Sequence, residues 1–326
     1  MRTRRLGSTE LNLTEIGFGA WAIGGGNWTF GWGPQDDDQA IAAIRRGLEL
    51  GINWIDTAAV YGLGHSEELV ARAIEGRRDR VILATKCSLV WDESGRISSS
   101  LARESVLAEC EASLRRLHTD RIDLYQIHWP NDERHLEEGW EAIERLMSAC
   151  KVRYAGVSNF QVRHLDRVQP IRPVSSLQPP YSMIHREIET ELLAYCQKRS
   201  IGVLAYSPMA SGLLTGRFDR SKLVAEDWRS KSEDFNGEAL RANLAFVDAL
   251  RPIADKYART VSQLSIAWVL RRPEVTSAIV GARSPSQIEE TVGGSGWSIA
   301  PEDLAEIDRL LAIRAETIPP KSVKFK

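Results

Sequence analysis

The sequence predicts an α/β fold of the (β/α)8 barrel type, a TIM barrel. Short apolar runs recur along the chain, and each run ends at a polar side chain: Asp56, Lys86, His128, Ser158, Gln178 and Ser207. The intervals between these positions leave room for one helix each, and strands that alternate with helices indicate a parallel sheet. Polar residues at the carboxyl ends of the strands lie where such barrels keep their active sites.

The first segment of the chain predicts a β-hairpin that precedes the repeating units. Residues 2–14 alternate around Gly7 and Ser8, and alternation around such a pair is typical of a hairpin. We expect this hairpin to plug the bottom of the barrel. Residues 16–21 then predict a glycine-rich first strand. The small glycine residues indicate that a ligand or another part of the chain approaches the backbone of this strand closely. The loop that follows, residues 24–34, carries three aromatic residues.

Helices are predicted wherever apolar residues recur at three- and four-residue steps. These segments are 37–50, 66–74, 101–117, 136–149, 163–168, 187–199, 244–257, 262–270 and 301–313. Residues 278–281 predict the last strand, so the barrel has extra helices near its C-terminus. The polar stretch 217–237 is too long for a simple connector and predicts a mobile functional loop. The basic tail, 321–326, is expected to be a solvated end or a flap near the barrel mouth.

Composition limits the classes of protein to which this chain can belong. The 326 residues, 43% hydrophobic and 26% charged, predict one barrel domain over 1–326. A net charge of −2 predicts no attraction to nucleic acid or anionic lipid. No apolar run is long enough to cross a bilayer and no apolar signal core begins the chain. We therefore expect a cytoplasmic protein, a monomer or a weak homo-oligomer.

The four cysteines give no sign of a disulfide framework or a metal site. Cys87, Cys110, Cys150 and Cys196 lie far apart with no C-x-x-C spacing. Free thiols are the usual state in a reducing compartment. We expect no metal ion in this protein.

Six separated motifs resemble, in order, those of the aldo-keto reductases. They are GINWIDTAAVYG (51–62), ILATK (82–86), DLYQIHWP (123–130), GVSNF (156–160), YSPMASGLLTG (206–216) and GARSPSQ (281–287). The resemblance covers essentially the whole chain and is closest to the bacterial branch with general stress and inositol-utilisation reductases. One position departs from the family: Glu290 is followed by Thr291, where the family often has Glu-Asn, and this bears on adenine binding.

The resemblance implies an NAD(P)H-dependent oxidoreductase that acts on CH–OH donors and, in reverse, reduces aldehydes and ketones to alcohols. Tyr61 would donate the proton, although a free phenol has a pKa of about 10. We expect the ammonium of Lys86 to lower the pKa of Tyr61, and Asp56 to hold that lysine charged. His128 would hydrogen-bond the carbonyl oxygen. The simpler alternative for His128 is a buried core residue.

The resemblance also implies the cofactor site and its occupant, NADPH. Ser158, Asn159 and Gln178 both donate and accept hydrogen bonds, as a nicotinamide carboxamide requires, and Tyr206 would stack on the ring. No G-x-G-x-x-G follows a first strand, so the fold is not a Rossmann fold. The remaining predicted cofactor contacts are Trp21, Ser207, Gly212, Leu214, Gly216, Arg217, Gly281, Arg283, Gln287 and Glu290.

The substrate pocket is predicted from tryptophans in or beside the loops at the barrel mouth. Trp28, Trp91 and Trp129 are the candidates, beside Trp21 and Trp32. Apolar walls with few polar anchors suit a small-molecule carbonyl substrate. Because large aromatics also dominate core packing, at least two of these five are expected to be plain core.

Two other functions remain open from the sequence. A barrel aldolase would form a Schiff base on Lys86, but this leaves Tyr206, Gln178 and the stretch from Gly281 unexplained. A non-catalytic, cofactor-sensing subunit, like the related potassium-channel β subunits, is the alternative from another class of protein. No segment of the chain is dedicated to a partner interface.

Overall fold

Eight parallel strands close into a barrel in the computed structural model, which describes residues 1–26, 28–224 and 227–318. The predicted basic tail, 321–326, lies outside the described residues. Each strand pairs with the next along the chain, and the eighth pairs with the first. The strands are Ile16–Gly19, Trp54–Asp56, Ile82–Cys87, Ile122–Ile127, Val152–Ser158, Ser176–Gln178, Gly202–Tyr206 and Val275–Gly281. The predicted (β/α)8 barrel is confirmed.

The strands are continuous apolar runs because both of their faces are covered. All six residues of Ile122–Ile127 are buried, since helices pack outside the barrel and side chains fill its interior. A half-exposed strand would instead alternate polar and apolar residues. This double burial is why the sequence signal for the barrel is strong.

Helices cover the outside of the barrel, close to their predicted bounds. They are Asp37–Glu49, His65–Ile74, Arg103–Arg116, Leu136–Ser148, Val162–Val168, Leu192–Lys198, Gly237–Lys256, Val261–Leu270, Pro285–Thr291 and Pro301–Thr317. The helices Gly237–Lys256 and Pro301–Thr317 are additional to the barrel units and pack against each other. Arg314 Nε joins them by donating to Asn243 Oδ1 at 2.7 Å.

The helix predicted over 187–199 is divided into two shorter pieces. A 3-10 turn, Glu187–Glu189, precedes the helix Leu192–Lys198. The Glu189 carboxylate accepts from Arg186 at 2.9 Å and from the distant Arg271 at 3.0 Å, and these two bonds fix the turn. Local periodicity cannot indicate a partner 82 positions away in the chain.

The N-terminal hairpin closes the amino-terminal end of the barrel, as predicted. Strands Thr3–Arg5 and Asn12–Thr14 pair antiparallel. Leu6, Leu11 and Leu13 are buried in one cluster with Trp54 from the second barrel strand. The hairpin therefore supplies the apolar bottom layer of the barrel interior.

The glycine-rich first strand allows a tryptophan to lie inside the barrel. A Cβ added to Gly17 would come within 2.0 Å of the Trp54 indole. The indole Nε1 of Trp54 donates to Ser277 Oγ at 3.1 Å. We expected a close approach to the backbone of this strand. At Gly17, the group that makes this approach is the buried indole of Trp54.

Two segments at the carboxyl end of the barrel complete its mouth. A small antiparallel hairpin, Leu89–Trp91 with Ile97–Ser99, follows the third strand and was not predicted. The polar stretch 217–237, called the mouth loop here, contains the 3-10 turns Arg220–Lys222, Trp228–Lys231 and Glu233–Phe235. Within the described chain, no helix has the length and apolar character needed to cross a membrane.

Candidate active site

A cavity of about 1310 Å³ lies at the carboxyl end of the barrel strands. Pockets for drug-sized ligands measure roughly 300–1,000 Å³, so this one has room for two molecules side by side. Most of the predicted site lines it: Trp21, Trp28, Asp56, Tyr61, His128, Trp129, Ser158, Asn159, Gln178, Tyr206, Ser207, Gly212, Arg217, Gly281, Arg283, Gln287 and Glu290. The fold thus brings together residues that are up to 269 positions apart (290 − 21).

Three predicted catalytic side chains contact one another at the bottom of the cavity. Lys86 Nζ donates to Asp56 Oδ2 at 2.6 Å, to the Thr57 carbonyl at 2.9 Å and to Tyr61 Oη at 3.3 Å. Lys86 is 1% exposed, and Asp56 and Tyr61 are buried as well. Because an ammonium can only donate, the phenol oxygen accepts from it. The phenolic proton is therefore free to point into the cavity.

The turn that presents Tyr61 depends on a glycine. Gly62 has a φ of 63°, and a Cβ there would lie 2.2 Å from the Gly24 carbonyl oxygen. Leu63 follows with a φ of 55°. This backbone conformation is unfavourable for side-chain-bearing residues. It turns the chain sharply from the second strand into the helix His65–Ile74, and it leaves Tyr61 at the cavity wall.

Burial shifts the pKa values of this cluster in the directions that favour neutral groups. Burial, with a contribution from the Asp56 charge, raises the pKa of Tyr61 well above its usual value. This is opposite to the lowering by Lys86 that we expected, because burial and the negative charge of Asp56 both favour the neutral phenol. Burial also lowers the pKa of Lys86, while the charges of Asp56 and Glu67 oppose that change. The phenol is thus protonated at neutral pH.

His128 lies beside the phenol and is neutral. Its ring meets that of Tyr61 edge to face, with the centroids 5.5 Å apart. Burial, and then the Lys86 charge, lowers the pKa of His128 well below its usual value. A neutral imidazole carries one N–H donor, which suits hydrogen bonding to a carbonyl oxygen.

The predicted carboxamide site is a connected hydrogen-bonded cluster. Asn159 Nδ2 donates to Ser158 Oγ and to the His128 carbonyl, each at 3.0 Å. The Tyr206 hydroxyl donates to Asn159 Oδ1 at 2.9 Å. Asn159 has a φ of 61°, a left-handed conformation that asparagine tolerates better than most residues. These bonds fix the polar groups and the Tyr206 ring at one end of the cavity.

Gln178 belongs to this end and also to the catalytic cluster. Its Nε2 donates to Asp56 Oδ1 at 2.8 Å, and Gln126 Nε2 approaches the same oxygen at 3.3 Å. Sequence analysis missed Gln126, which is fully buried. Its position in the motif DLYQIHWP, two residues before His128, was the available signal, because alternate residues of a strand share a face.

Residues 207–216, which contain four of the predicted cofactor contacts, border the cavity in an irregular conformation. Ser207, Ser211 and Gly212 all have positive φ angles. Two predicted contacts, Leu214 and Gly216, do not line the cavity. The Leu214 amide donates to the Met209 carbonyl, and the Gly216 carbonyl accepts from Arg251. Through these hydrogen bonds, Leu214 and Gly216 stabilise the conformation of the loop without facing the cavity.

At the opposite end of the cavity, Arg283 is bound by the loop after the first strand. Its guanidinium donates to Gln35 Oε1 at 2.6 Å and to the carbonyls of Trp32 and Pro34. Gln287 Oε1 accepts from the Arg283 amide at 2.7 Å. Arg283 therefore joins residues 32–35 to the last barrel strand in addition to facing the cavity.

A second arginine at this end is paired with a carboxylate. Arg217 lies 2.9 Å from Glu290 Oε2, and Ser262 Oγ donates to Glu290 Oε1 at 3.3 Å. Lys222 also lines this part of the cavity. Arg217, Lys222 and Arg283 thus all line the cavity, together with the partly neutralised carboxylate of Glu290.

Only two of the three tryptophans predicted for the substrate pocket reach it. Trp28 and Trp129 line the cavity, and Trp129 is 38% exposed. Trp91 does not line it: the guanidinium of Arg116 lies 5.8 Å from its ring. The prediction for Trp91 is therefore wrong, because the unpredicted hairpin directs this ring toward the outer helix Arg103–Arg116.

The mouth loop adds aromatic contacts that sequence analysis missed. Trp228 stacks on Trp21 with centroids 5.5 Å apart and meets Trp32 edge to face at 5.9 Å. The Arg229 guanidinium lies 4.4 Å from the Trp32 ring and donates to the Ser211 carbonyl. A tryptophan followed by an arginine in a polar loop was a usable signal, since this pair often forms such contacts.

The fold and this site define a (β/α)8 barrel oxidoreductase. The family model for the Aldo/keto reductase family matches residues 15–312, and the chain belongs to this family. It is accordingly a nicotinamide-dependent oxidoreductase.

The chain is similar over most of its length to several characterised or named proteins. It is 37% identical to aldo-keto reductase YhdN of Bacillus subtilis, in an alignment that covers 95% of this chain and 94% of the relative. It is 32% identical to the NADH-specific methylglyoxal reductase of Escherichia coli, and this alignment covers 93% of this chain and 96% of the relative. A probable voltage-gated potassium channel subunit beta of Arabidopsis thaliana is also 32% identical, over 90% of each.

Solved structures agree with this fold. The glycerol dehydrogenase AKR11B4 from Gluconobacter oxydans superposes with a TM-score of 0.88 and 36% identity, covering 99% of this chain and 98% of the other. An aldo-keto reductase from Klebsiella pneumoniae in complex with NADPH has a TM-score of 0.72 and 31% identity, covering 98% and 96%.

Proposed function

We propose that this protein reduces aldehydes and ketones to alcohols with Tyr61 as the proton donor. The observation that carries this proposal is the contact of Lys86 Nζ with both Asp56 Oδ2 and Tyr61 Oη at the bottom of the cavity. A protonated phenol, polarised by an ammonium that donates to its oxygen, is a competent acid for a developing alkoxide. The neutral His128 beside it stabilises the same oxygen by donating a hydrogen bond.

The residues around the cavity fit a nicotinamide dinucleotide. The cofactor would supply hydride to the carbonyl carbon. Ser158, Asn159 and Gln178 would hold the carboxamide, and Tyr206 would fix the face of the ring. The cationic end, with Arg217 and Arg283, would hold the phosphate groups. These roles follow from the chemistry of the donor set and from the resemblance of the motifs.

The substrate would enter between the aromatic residues and the small hairpin at the mouth. Trp28, Val60 and Leu89 belong to one apolar cluster with Tyr61, and the polar residues Ser98 and Asn131 also line the cavity. An apolar wall with a few polar groups at its rim accepts carbonyl compounds of varied shape. We therefore propose a small or medium-sized aldehyde or ketone with a polar distal end.

Turnover under both reduced cofactors tests this proposal. Purified protein should oxidise NADPH when a generic aldehyde such as 4-nitrobenzaldehyde is added, as followed at the nicotinamide absorbance. A substrate panel with NADPH and with NADH would rank the substrates. Absence of turnover with every aldehyde and ketone, despite quenching of tryptophan fluorescence by cofactor, would favour the cofactor-sensing subunit that the channel-subunit relative suggests.

We propose NADPH as the preferred cofactor because cations face the end of the cavity that would hold the adenosine. Hydrogen bonds to charged groups contribute roughly 1.5 to 3 kcal/mol each, so Arg283→Ala should weaken NADPH binding about ten- to a hundredfold and NADH binding much less. Arg283 also binds residues 32–35, so Gln35→Leu is the matched control, because it releases Arg283 Nε but keeps the cation. Fluorescence titration measures both affinities.

Two outcomes would contradict this assignment. An equal loss of both cofactors in Arg283→Ala would make Arg283 an adenine-stacking residue. A wild-type preference for NADH, as in the name of the Escherichia coli relative, would instead assign Glu290 to the ribose hydroxyls, since carboxylates are the usual partners there.

The aldolase alternative is disfavoured by the position of Lys86. Its amine is 1% exposed and makes three hydrogen bonds, while Asp56 and Tyr61 line the cavity in front of it. A Schiff base requires an uncharged amine that reaches the substrate carbonyl. Borohydride treatment with substrate should therefore leave Lys86 unmodified.

A further inference from the structure

A buried ion pair lies on the outer side of the strand that bears Lys86. Arg116 Nε donates to Glu67 Oε2 at 2.6 Å, and the Glu67 side chain is fully buried. Glu67 Oε1 accepts from Thr85 Oγ1 at 2.6 Å. Because side chains alternate along a strand, Thr85 faces outward where Lys86 faces inward. The pair is thus bonded to the residue directly before the catalytic lysine.

The same arginine also contacts the turn that presents Tyr61. A Cβ added to Gly64 would lie 2.9 Å from Arg116 Cδ, so the arginine stem lies against the end of that turn. Glu67 itself belongs to the first turn of the helix that follows. The Arg116 guanidinium lies 5.8 Å from the ring of Trp91 in the hairpin at the mouth. One side chain therefore contacts three segments that surround the catalytic cluster.

The charge of Glu67 reaches the catalytic lysine as well as its neighbour. Burial lowers the pKa of Lys86, and the charges of Asp56 and Glu67 raise it. The titratable groups nearest the Lys86 amine within the cavity are Asp56, Tyr61 and His128. Glu67 is an additional anion on the opposite side of the strand.

We propose that Glu67 and Arg116 are positioning residues for the reductase reaction, which hold the Tyr61 turn and the Lys86 strand in fixed register and help keep Lys86 charged. This inference rests on the proposed roles of Tyr61 and Lys86. Neither residue touches the cavity lining that would meet substrate or cofactor, so both act through their neighbours. Loss of the pair should reduce kcat more than it changes substrate KM or cofactor affinity.

The chain offers a matched control pair. Arg78 Nη2 donates to Asp123 Oδ2 at 2.8 Å. The two arginine side chains have similar exposure, 17% for Arg78 and 20% for Arg116, and the two carboxylate side chains are buried, at 4% for Asp123 and 0% for Glu67. Asp123 Oδ2 accepts from the Leu83 amide, near the start of the same strand. Both pairs therefore connect a peripheral element to the third strand, one at its catalytic end and one at the far end.

The experiment compares Glu67→Gln and Arg116→Met with Asp123→Asn and Arg78→Met. All four should lower the melting temperature, because each removes one partner of a buried ion pair. The loss in Arg78→Met should be the smaller one, since Arg153 still pairs with Asp123 at 2.9 Å. Only the first two should lower kcat, by about ten- to a hundredfold, as displacement of a catalytic group does. In Glu67→Gln, the alkaline limb of the kcat profile should move to lower pH, because Lys86 then loses its proton at lower pH. Arg116→Lys should restore part of kcat.

The outcomes separate the positioning role from a structural role. The proposal would be overturned if Glu67→Gln lowered the melting temperature but kept the wild-type kcat and the wild-type position of the alkaline limb. It would also be overturned if the control variants lost as much kcat as Glu67→Gln and Arg116→Met. If Glu67→Gln does not fold, Thr85→Val, which removes only the hydroxyl contact to Glu67, must lower kcat for the proposal to stand. Tyr61→Phe in the same assay tests the proposed function separately, because retained turnover there would remove the proton donor itself.

Discussion

At the scale of single residues, the proposed reaction depends on the hydroxyl group of Tyr61. Tyr61→Phe keeps the ring and its contacts with Trp21 and His128 but removes the proton. We expect kcat to fall by on the order of 10² to 10⁴, the usual contribution of a general acid. NADPH affinity, measured by fluorescence quenching, should remain, because the cofactor contacts lie on other strands. Near-normal turnover would exclude Tyr61 as the donor.

We expect the neighbouring Lys86 to contribute both to the proposed chemistry and to stability. Lys86→Met keeps much of the volume but removes the donor to Tyr61 and the partner of Asp56. Breaking a buried pair costs about 3 to 5 kcal/mol. We expect the lower end of that range, because Gln178 and Gln126 still donate to Asp56. Urea unfolding measures the stability loss, and steady-state kinetics should record a lower kcat across neutral pH.

A Lys86→Met variant with unchanged stability and an unchanged pH–rate profile would contradict both parts of this expectation. Lys151→Met is the matched control, since Lys151 pairs with Glu111 at a partly exposed site on the outer surface. Exposed pairs contribute about 0 to 1 kcal/mol. That variant should therefore stay close to wild type in both measurements.

At the scale of elements, Trp228 packs the mouth loop against two aromatic residues that line the cavity. Its ring stacks on Trp21 and meets Trp32, and aromatic pairs contribute about 0.5 to 1.5 kcal/mol each beyond their buried area. Trp228→Ala should therefore favour an open loop. Proteinase K should cleave within residues 217–237 faster in this variant than in wild type, and NADPH should slow cleavage of the wild type.

The control for the loop is Lys231→Gln, because Lys231 is an exposed residue of the same segment. It should be cleaved at the wild-type rate. Faster product release should accompany loop opening where lid motion limits turnover. Equal cleavage of wild type with and without NADPH would make the mouth loop an ordinary surface loop.

At the scale of the whole molecule, the N-terminal hairpin stabilises the barrel at the end opposite the cavity. Leu13 of the N-terminal hairpin is 1% exposed and packs in the same cluster as Trp54. Leu13→Ala should cost about 2 to 5 kcal/mol in the free energy of unfolding, measured from the urea midpoint. kcat/KM of the folded variant should be unchanged, because the hairpin lies at the amino-terminal end. Loss of activity at full folding would contradict this separation.

The barrel, and most of the residues proposed for catalysis, could be predicted from local sequence patterns. Strands buried on both faces are continuous apolar runs, so their carboxyl-terminal polar residues, Asp56, Lys86 and His128, were visible without any structure. The plugging hairpin was also predictable from its local alternation. Such features depend on neighbours within a few residues, which a linear pattern records.

Only the tertiary structure decided which residues meet across the cavity. The stacking of Trp228 on Trp21 joins positions 207 residues apart (228 − 21), and the position of Trp91 depended on a hairpin with no clear sequence signal. The direction of the Tyr61 pKa shift likewise follows from burial, with a contribution from the Asp56 charge. Contacts between distant segments and the loss of hydration are properties of the packed chain, and no local sequence pattern contains them.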